Sequence, residues 1–167
     1  RHNILNILGG VAIARQLGMS HAQIARGIEK IEPVEHRLQL LPSANGVSVI
    51  DDAFNANPAG TKVAMEVLGS FSGKKLVITP GVIELGEAED EENRAFGRRM
   101  AEVADFVILV GPKHTRPIYE GLVSEGFDKE CIFVVKSLNE ATPIMGHLIG
   151  AGDVVLFEND LPDNYNE

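Results

Sequence analysis

The chain has 167 residues, of which 44% are hydrophobic and 23% are charged, and its formal net charge is −9. That length suits one sizeable domain, or one domain with part of another, and no apolar run approaches the roughly 20 residues of a membrane span. The negative charge argues against nucleic acid and anionic membrane surfaces as partners, because both would repel it, although a small phosphate site would need only a few local donors.

Two helices are predicted at the start of the chain. Apolar residues recur at helical spacing over 3–17, and Gly18 lies where a C-terminal cap belongs. A second helix is predicted over about 21–30, where Ser20 and Gln23 have the spacing of a capping box. Because the apolar helical pattern begins almost at the first residue, we expect the chain to start within a domain.

After Pro33, which ends the helical pattern, short strands alternate with helices, so residues 1–33 and 34–167 are predicted to be separate units. Strands are predicted over 37–41 and 47–50, around an Asn-Gly turn, and then over 76–79, 106–110, 131–135 and 154–157. The last four are continuous apolar runs, typical of parallel strands covered on both faces. Helices are predicted over 59–70, 88–103, 115–125 and 138–149. The sequence therefore predicts an α/β fold, with an open, mostly parallel, Rossmann-like sheet, helices on both faces and a helical stub before it.

Local signals refine this pattern. Pro117 fits the first turn of its helix, and Ser137 with Glu140 repeats the capping-box spacing. Cys131 lies in an apolar run and is expected to be a small buried hydrophobe. A single cysteine cannot form an internal disulfide, and without a signal-like segment this predicts a cytoplasmic protein.

The carboxyl ends of parallel strands are where such sheets bind ligands. The loop predicted after Ile50 has suitable side chains, since residues 51–58 read Asp-Asp-Ala-Phe-Asn-Ala-Asn-Pro. Carboxylates can accept hydrogen bonds from ribose hydroxyls or hold a metal, and asparagine offers both a donor and an acceptor. The alternative is a polar turn in which Asn57 only caps the helix that Pro58 opens.

Three other segments carry candidate binding residues. Asn3 and Asn6 lie three apart at a helix start, where amides could contact the edge of a base, or where they could be a cap and a solvated residue. Arg37 could neutralise a phosphate, or could be an exposed residue before a strand. Glu84, between Gly81 and Gly86, could be held inward to bind the ammonium of an amine substrate. The alternative is that Glu84 is one more solvated acid before an acidic helix start.

Several motifs that carry chemistry are absent from the sequence. It has no Gly-x-x-x-x-Gly-Lys-Ser/Thr phosphate loop, no Cys/His zinc spacing and no Gly-x-Ser-x-Gly nucleophile signature. The dinucleotide fingerprint is missing from the first strand-to-helix turn. We therefore assign no catalytic residue and no metal ligand, and we expect this chain to be inactive alone.

Taken in order, four segments resemble the Mur ligases of peptidoglycan synthesis. His-Asn-Ile-Leu-Asn at 2–6 resembles the end of that family's central ATPase domain, and Pro-Val-Glu-His-Arg-Leu at 33–38 resembles the junction into its carboxy-terminal domain. Residues 51–58 resemble the Asp-Asp-Ser-Tyr-Asn-Ala-Asn-Pro motif of the MurF branch, and Glu-Leu-Gly-Glu at 84–87 resembles the same motif of that branch. The resemblance implies that 1–33 is the helical end of the ATPase domain and 34–167 the carboxy-terminal domain.

The resemblance also implies a set of binding residues. Three residues would face the incoming amine: Glu84, Leu85 and Gly86. Six would face ATP. Asn3 and Asn6 would lie near adenine, Arg37 near the phosphates and Asp52 at the ribose hydroxyls. Asn55 and Asn57 would shape the nucleotide-facing loop.

The implied reaction uses ATP and Mg²⁺. A substrate carboxylate takes the γ-phosphate of ATP, and the amine of D-alanyl-D-alanine captures the acyl phosphate, so that the dipeptide joins UDP-MurNAc-tripeptide. The implied partners within the same chain are an amino-terminal and a central domain, which would supply the phosphate loop and most magnesium ligands.

Two departures leave the acceptor open. Residues 80–83 read Pro-Gly-Val-Ile where the branch usually has Gly-Asp-Met, and 158–160 read Glu-Asn-Asp where its last strand often leads into Lys-Gly-Ser-Arg. One alternative is a divergent Mur-type ligase with another amine acceptor. The other is a non-catalytic, doubly wound binding module.

Overall fold

The computed structural model describes residues 4–32, 34–42 and 45–160. The chain divides into two compact units, Arg1–Val34 and Glu35–Glu167, one residue away from the predicted boundary. Assignment of the first unit to a central ATPase domain stays a prediction. Among the described residues, no helix is long and apolar enough to cross a membrane.

The first unit contains the two predicted helices, α1 (Ile4–Gln16) and α2 (His21–Ile28). Gly18 ends α1 in a left-handed conformation, with φ of 83°, as the sequence predicts. The predicted capping box begins α2, because the Ser20 hydroxyl accepts from the Gln23 N–H at 3.3 Å and the Gln23 side chain accepts from the Ser20 N–H at 2.9 Å.

The second unit follows the predicted alternation of strands and helices. Pro58 and Pro117 both lie in the first turn of a helix, as predicted. The element bounds are β1 Gln39–Leu41, β2 Ser48–Asp52, α3 Pro58–Gly69, β3 Lys75–Thr79, α4 Glu89–Val103, β4 Phe106–Val110, α5 Arg116–Ser124, β5 Ile132–Val135, α6 Leu138–Leu148 and β6 Val154–Glu158.

These strands form one six-stranded sheet in the order β1-β2-β6-β3-β4-β5. Strand β1 pairs antiparallel with β2, and every other neighbouring pair is parallel. The α/β fold with an open, mostly parallel sheet is therefore confirmed. The last strand, β6, inserts between β2 and β3, which brings the carboxyl ends of these three strands to one edge.

Helices cover both faces of the sheet. Buried side chains of α3, α4 and α5 join one core, which includes Ile50 of β2 and Leu156 of β6. We call this side the α3 face. Helix α6 buries Ala141 in a smaller core on the opposite side, with Ile78 and Val155. We call that side the α6 face. Alternate residues of each strand therefore point to different helices.

Two local predictions are wrong. Ser137 is the N-cap of α6 but makes no capping hydrogen bond through its side chain, and the Glu140 N–H donates to the Ser137 carbonyl instead, at 3.1 Å. The Glu140 carboxylate accepts from the Lys136 N–H at 3.0 Å, one residue before the cap. Cys131 ends a short 3₁₀ turn before β5 and is only partly buried. The pKa of its thiol is raised, first by burial and then by nearby carboxylates.

Candidate functional site

Asp51 and Asp52 are the last two residues of strand β2, and not part of the following loop as predicted. The ladder with β6 continues to its end, where Asp52 pairs in register with Glu158. Since successive strand residues point to opposite faces, Asp52 shares the α3 face with Ile50, and Asp51 faces the α6 side. The two carboxylates therefore lie in different surroundings, on opposite faces of the sheet.

The Asp52 carboxylate is partly buried and fastens the segment before β1. Its Oδ1 accepts from the Leu38 N–H at 2.9 Å. Leu38 and His36 both have left-handed backbones, with φ of 47° and 58°. The Phe54 N–H donates to the His36 carbonyl at 3.2 Å. These bonds hold the segment with Arg37 against the end of β2.

Arg37 is exposed, and its guanidinium carbon lies 4.4 Å from the centre of the Phe54 ring. This cation–π contact places a positive charge beside the loop that follows Asp52. The structure thus brings Arg37 and Asp52, two predicted ATP-binding residues, to the same edge of the sheet. Their roles in binding ATP stay predictions.

The two asparagines of the loop after β2 are both exposed. Asn57 is the N-cap of α3, and its Oδ1 accepts from the Gly60 N–H at 2.9 Å. That bond agrees with the alternative interpretation, in which Asn57 only caps the helix, since asparagine is a preferred residue at this position. A nucleotide role for Asn55 or Asn57 stays a prediction.

On α1, in the first unit, Asn6 is exposed, whereas Asn3 lies outside the described residues. Both remain predicted adenine contacts.

The prediction that Glu84 is held inward is wrong, because its side chain is exposed. The neighbours take the interior positions: Val82 is 2% exposed, and Leu85 packs on the core of the α3 face. Glu84 has a left-handed φ of 65°, and Gly86 one of 58°. The loop therefore turns its carboxylate outward, and contact of Glu84, Leu85 and Gly86 with an amine substrate stays a prediction.

Two buried asparagines that the sequence analysis missed hold these loops together. The Asn159 side chain accepts from the Ala56 N–H at 3.1 Å and donates to the Gly81 carbonyl at 2.6 Å. Asn93 accepts from the Val82 N–H at 2.9 Å and donates to the Val82 carbonyl at 2.7 Å. The loops after β2 and β3 are thus bound to the end of β6 and to α4.

The sequence contains a signal for the backbone conformation of Asn159. Its φ is 67°, a region that glycine enters readily and asparagine more easily than most other residues. The related motif has glycine at this place, after its lysine. An asparagine that replaces such a glycine predicts a left-handed backbone, and the amide then becomes available to bridge loops.

Glu158, which ends β6, is the other residue that the analysis missed. Its side chain is fully buried, with a relative exposure of 0%. Burial raises the pKa of its carboxyl group well above the ordinary value, and the neighbouring Asp52 carboxylate raises it further. A buried acid beside a predicted ligand-binding acid is unusual in a core.

A cavity of about 460 Å³ opens on the α6 face at the same edge of the sheet. Its apolar lining includes Val49, Ile78 and Phe157, and its polar lining includes Asp51 and His36. His36 Nδ1 lies 2.8 Å from Asp51 Oδ2. Of the predicted ATP-binding and amine-binding residues that the structure describes, none lines this cavity. An apolar chamber with few polar groups suits a small amphipathic molecule.

No group of three or more His, Cys, Asp or Glu side chains that could hold a metal ion occurs within the described ranges. The candidate site consists of the sheet edge with Arg37 and Asp52, the loop with Glu84, and the cavity on the α6 face.

Known proteins resemble this chain over nearly all its length. It is 26% identical over 161 residues to the UDP-N-acetylmuramoyl-tripeptide–D-alanyl-D-alanine ligase of Bacillus subtilis (strain 168), which covers 95% of this chain and 35% of the relative. It is 28% identical over 155 residues to the UDP-N-acetylmuramoylalanine–D-glutamate ligase of Pelotomaculum thermopropionicum, which covers 93% and 32%. The chain thus spans about a third of the length of these curated relatives.

The crystal structure of MurF ligase from Thermotoga maritima in complex with ADP superimposes with a TM-score of 0.76 and 25% identity, over 94% of this chain and 34% of that one. The sequence profile of the family described as "Mur ligase, glutamate ligase domain" matches residues 36–158. Because that match covers well over half of the 167 residues, the chain belongs to the Mur ligase family.

Proposed function

We propose that this chain is the carboxy-terminal part of an ATP-dependent ligase that forms an amide bond in peptidoglycan precursor synthesis in the cytoplasm. The specific reaction joins D-alanyl-D-alanine to UDP-MurNAc-tripeptide through an acyl phosphate. The observation that carries it is the similarity to the Bacillus subtilis ligase of that specificity, which extends over 95% of the chain.

The nucleotide edge fits this proposal chemically. A partly buried carboxylate, Asp52, is suited to accept hydrogen bonds from ribose hydroxyls, and the exposed guanidinium of Arg37 is suited to meet phosphate oxygens. The related Thermotoga maritima structure contains ADP. In this proposal Asn3, Asn6, Asn55 and Asn57 complete the contacts to ATP.

Mg²⁺ would neutralise the developing charge during phosphoryl transfer. In this proposal its ligands, and the loop that holds the phosphates, belong mainly to the amino-terminal and central domains of the same enzyme. The carboxy-terminal part would bind the nucleoside end of ATP, orient it, and present the amine.

A second candidate keeps the reaction class and changes the acceptor. The Pelotomaculum relative, at 28% identity, is a ligase of D-glutamate. Here the loop after β3 also turns its one candidate ammonium ligand, Glu84, outward. A divergent ligase with another amine acceptor is therefore the runner-up. Family membership, through residues 36–158, favours both ligase proposals over a non-catalytic binding module.

The deciding experiment measures ADP formation by the full-length enzyme. We expect turnover with UDP-MurNAc-tripeptide and D-alanyl-D-alanine together, and none when either is omitted. UDP-MurNAc-alanine with D-glutamate is the matched alternative pair. Turnover only with the second pair would replace the first proposal by the runner-up, and turnover with neither would contradict the proposed substrates.

A further inference from the structure

Asp52 and Glu158 are lateral neighbours at the ends of two parallel strands. The ladder of β2 with β6 pairs them in register. They share the α3 face with Ile50 and Leu156, which lie two residues before each of them. Because neighbouring strands are about 4.8 Å apart, the two side chains lie next to each other on this face.

Glu158 has no other polar partner in the described part of the chain. Among the described residues, no N–H or O–H donor reaches either of its carboxyl oxygens, and the neighbouring Asp52 carboxyl group raises the pKa of Glu158. Two ionised carboxylates offer only acceptors and cannot hydrogen-bond to each other. If one of the two carboxyl groups carries a proton, it can donate to the other, and the buried Glu158 then has a partner.

Within the described ranges, the groups of α3 and α4 that pack against this part of the sheet do not neutralise Glu158. The residues that α3 buries are uncharged: Thr61, Ala64, Met65 and Leu68. From α4, the Arg99 guanidinium reaches only the Thr61 hydroxyl, with Nη2 at 3.4 Å, and makes no ion pair among the described residues. Two neighbouring like charges, one of them fully buried, are strongly disfavoured, and a proton on one of the two carboxyl groups removes the repulsion.

The proton belongs on Glu158 and the charge on Asp52. Asp52 is partly exposed and accepts from the Leu38 N–H at 2.9 Å, which stabilises its ionised form. Glu158 is shielded from solvent, and no backbone N–H of the described residues donates to it.

We propose that Glu158 is a protonated carboxylic acid that donates a hydrogen bond to the Asp52 carboxylate and thereby positions Asp52 as the acceptor for the ribose hydroxyls. Glu158 is then a positioning residue, which does not touch the nucleotide itself. The ribose part rests on the proposed function, whereas the shared proton does not.

The first test needs no nucleotide. Infrared spectra of the 167-residue chain at pH 7 should show the C=O stretch of a protonated carboxylic acid, which Glu158→Gln removes. The matched control, Glu66→Gln on the exposed side of α3, should keep the band. Absence of the band from the wild-type chain, or its persistence in Glu158→Gln, would overturn the proposal.

The second test asks whether the proton positions Asp52. Gln can donate as the protonated acid does, whereas Leu has a similar size and no donor. We expect Glu158→Gln to leave hydrogen exchange of the Leu38 amide within about threefold of wild type, and Glu158→Leu to accelerate it about tenfold or more, the scale of a hydrogen bond to a charged group. Equal exchange in both variants would refute the positioning role.

The third test links the pair to ATP in the full-length enzyme. Glu158→Leu should raise the KM for ATP about tenfold with little change in kcat, and Glu158→Gln should stay within about twofold. Equal KM values in the two variants would remove Glu158 from ribose positioning. An enzyme that shows no dependence on ATP would instead contradict the proposed function, while the infrared result would still decide the shared proton.

Discussion

Replacing Glu158 by Gln should change how the stability of the chain depends on pH. The folded pKa of Glu158 lies well above its ordinary value of 4.5. Above about pH 4.5 the unfolded chain therefore loses a proton that the folded chain keeps, so the stabilising contribution of Glu158 falls as pH rises towards the folded pKa. Gln has no proton to lose, and its contribution should not vary.

The largest slope that one such group can produce is about 1.4 kcal/mol per pH unit. Between pH 5 and pH 7, the free energy of unfolding of Glu158→Gln relative to wild type should therefore rise by up to about 2.7 kcal/mol. Comparing the two proteins removes the contributions of acids that do not neighbour Glu158, such as Asp153, whose pKa is lowered by two backbone N–H groups.

Urea unfolding of both proteins at pH 5, 6, 7 and 8 measures this difference through the midpoint and the slope of each transition. Glu66→Gln should follow the wild-type curve, because its side chain is exposed. Parallel curves for wild type and Glu158→Gln over the whole range would show that Glu158 is ionised in the folded chain, and the reasoning from burial would fail.

Four further outcomes are expected. The 167-residue chain alone should release no phosphate from ATP above background, since it lacks a phosphate loop; measurable turnover would contradict this. Asp52→Ala in the full-length enzyme should raise the KM for ATP about tenfold or more, and an unchanged ATP dependence would mean that its role is misassigned. Glu84→Gln should raise the KM for the amine less than about fivefold, because exposed ion pairs contribute at most about 1 kcal/mol; a much larger rise would show that the loop closes on the substrate. Gly97→Ala should destabilise the chain by about 1–3 kcal/mol in urea unfolding, because its Cβ would collide with the Ile118 carbonyl oxygen, whereas Gly146→Ala, in open space, should not.

The architecture of the second unit was largely predictable from local patterns. Strands β3, β4 and β6 are continuous apolar runs, and proline in the first turn placed α3 and α5. The strand order was harder to predict, because β6 inserts between β2 and β3 and pairs with residues about a hundred positions earlier in the chain. That pairing also extends β2 to Asp52, which the sequence alone placed in a loop.

The site was only partly predictable, because local sequence does not show which neighbour takes an interior position. Around Glu84, the flanking glycines indicated a tight loop correctly, but Val82 and Leu85 occupy the interior and turn the carboxylate outward. Asn93 and Asn159 act through backbone groups of distant loops. Such contacts depend on the assembled sheet and leave little local trace.

At position 158, the structure changes the interpretation that the sequence suggested. In the sequence, Glu158 is a departure from a basic motif, and it suggested a changed acceptor for the amine. In the structure, the same residue is buried and pairs in register with Asp52, so the departure lies at the proposed nucleotide edge. A lysine there would oppose the Asp52 charge at every ordinary pH, whereas an acid can do so only through a proton. An acid at position 158 therefore makes the charge at the proposed nucleotide edge depend on pH, whereas a lysine would not.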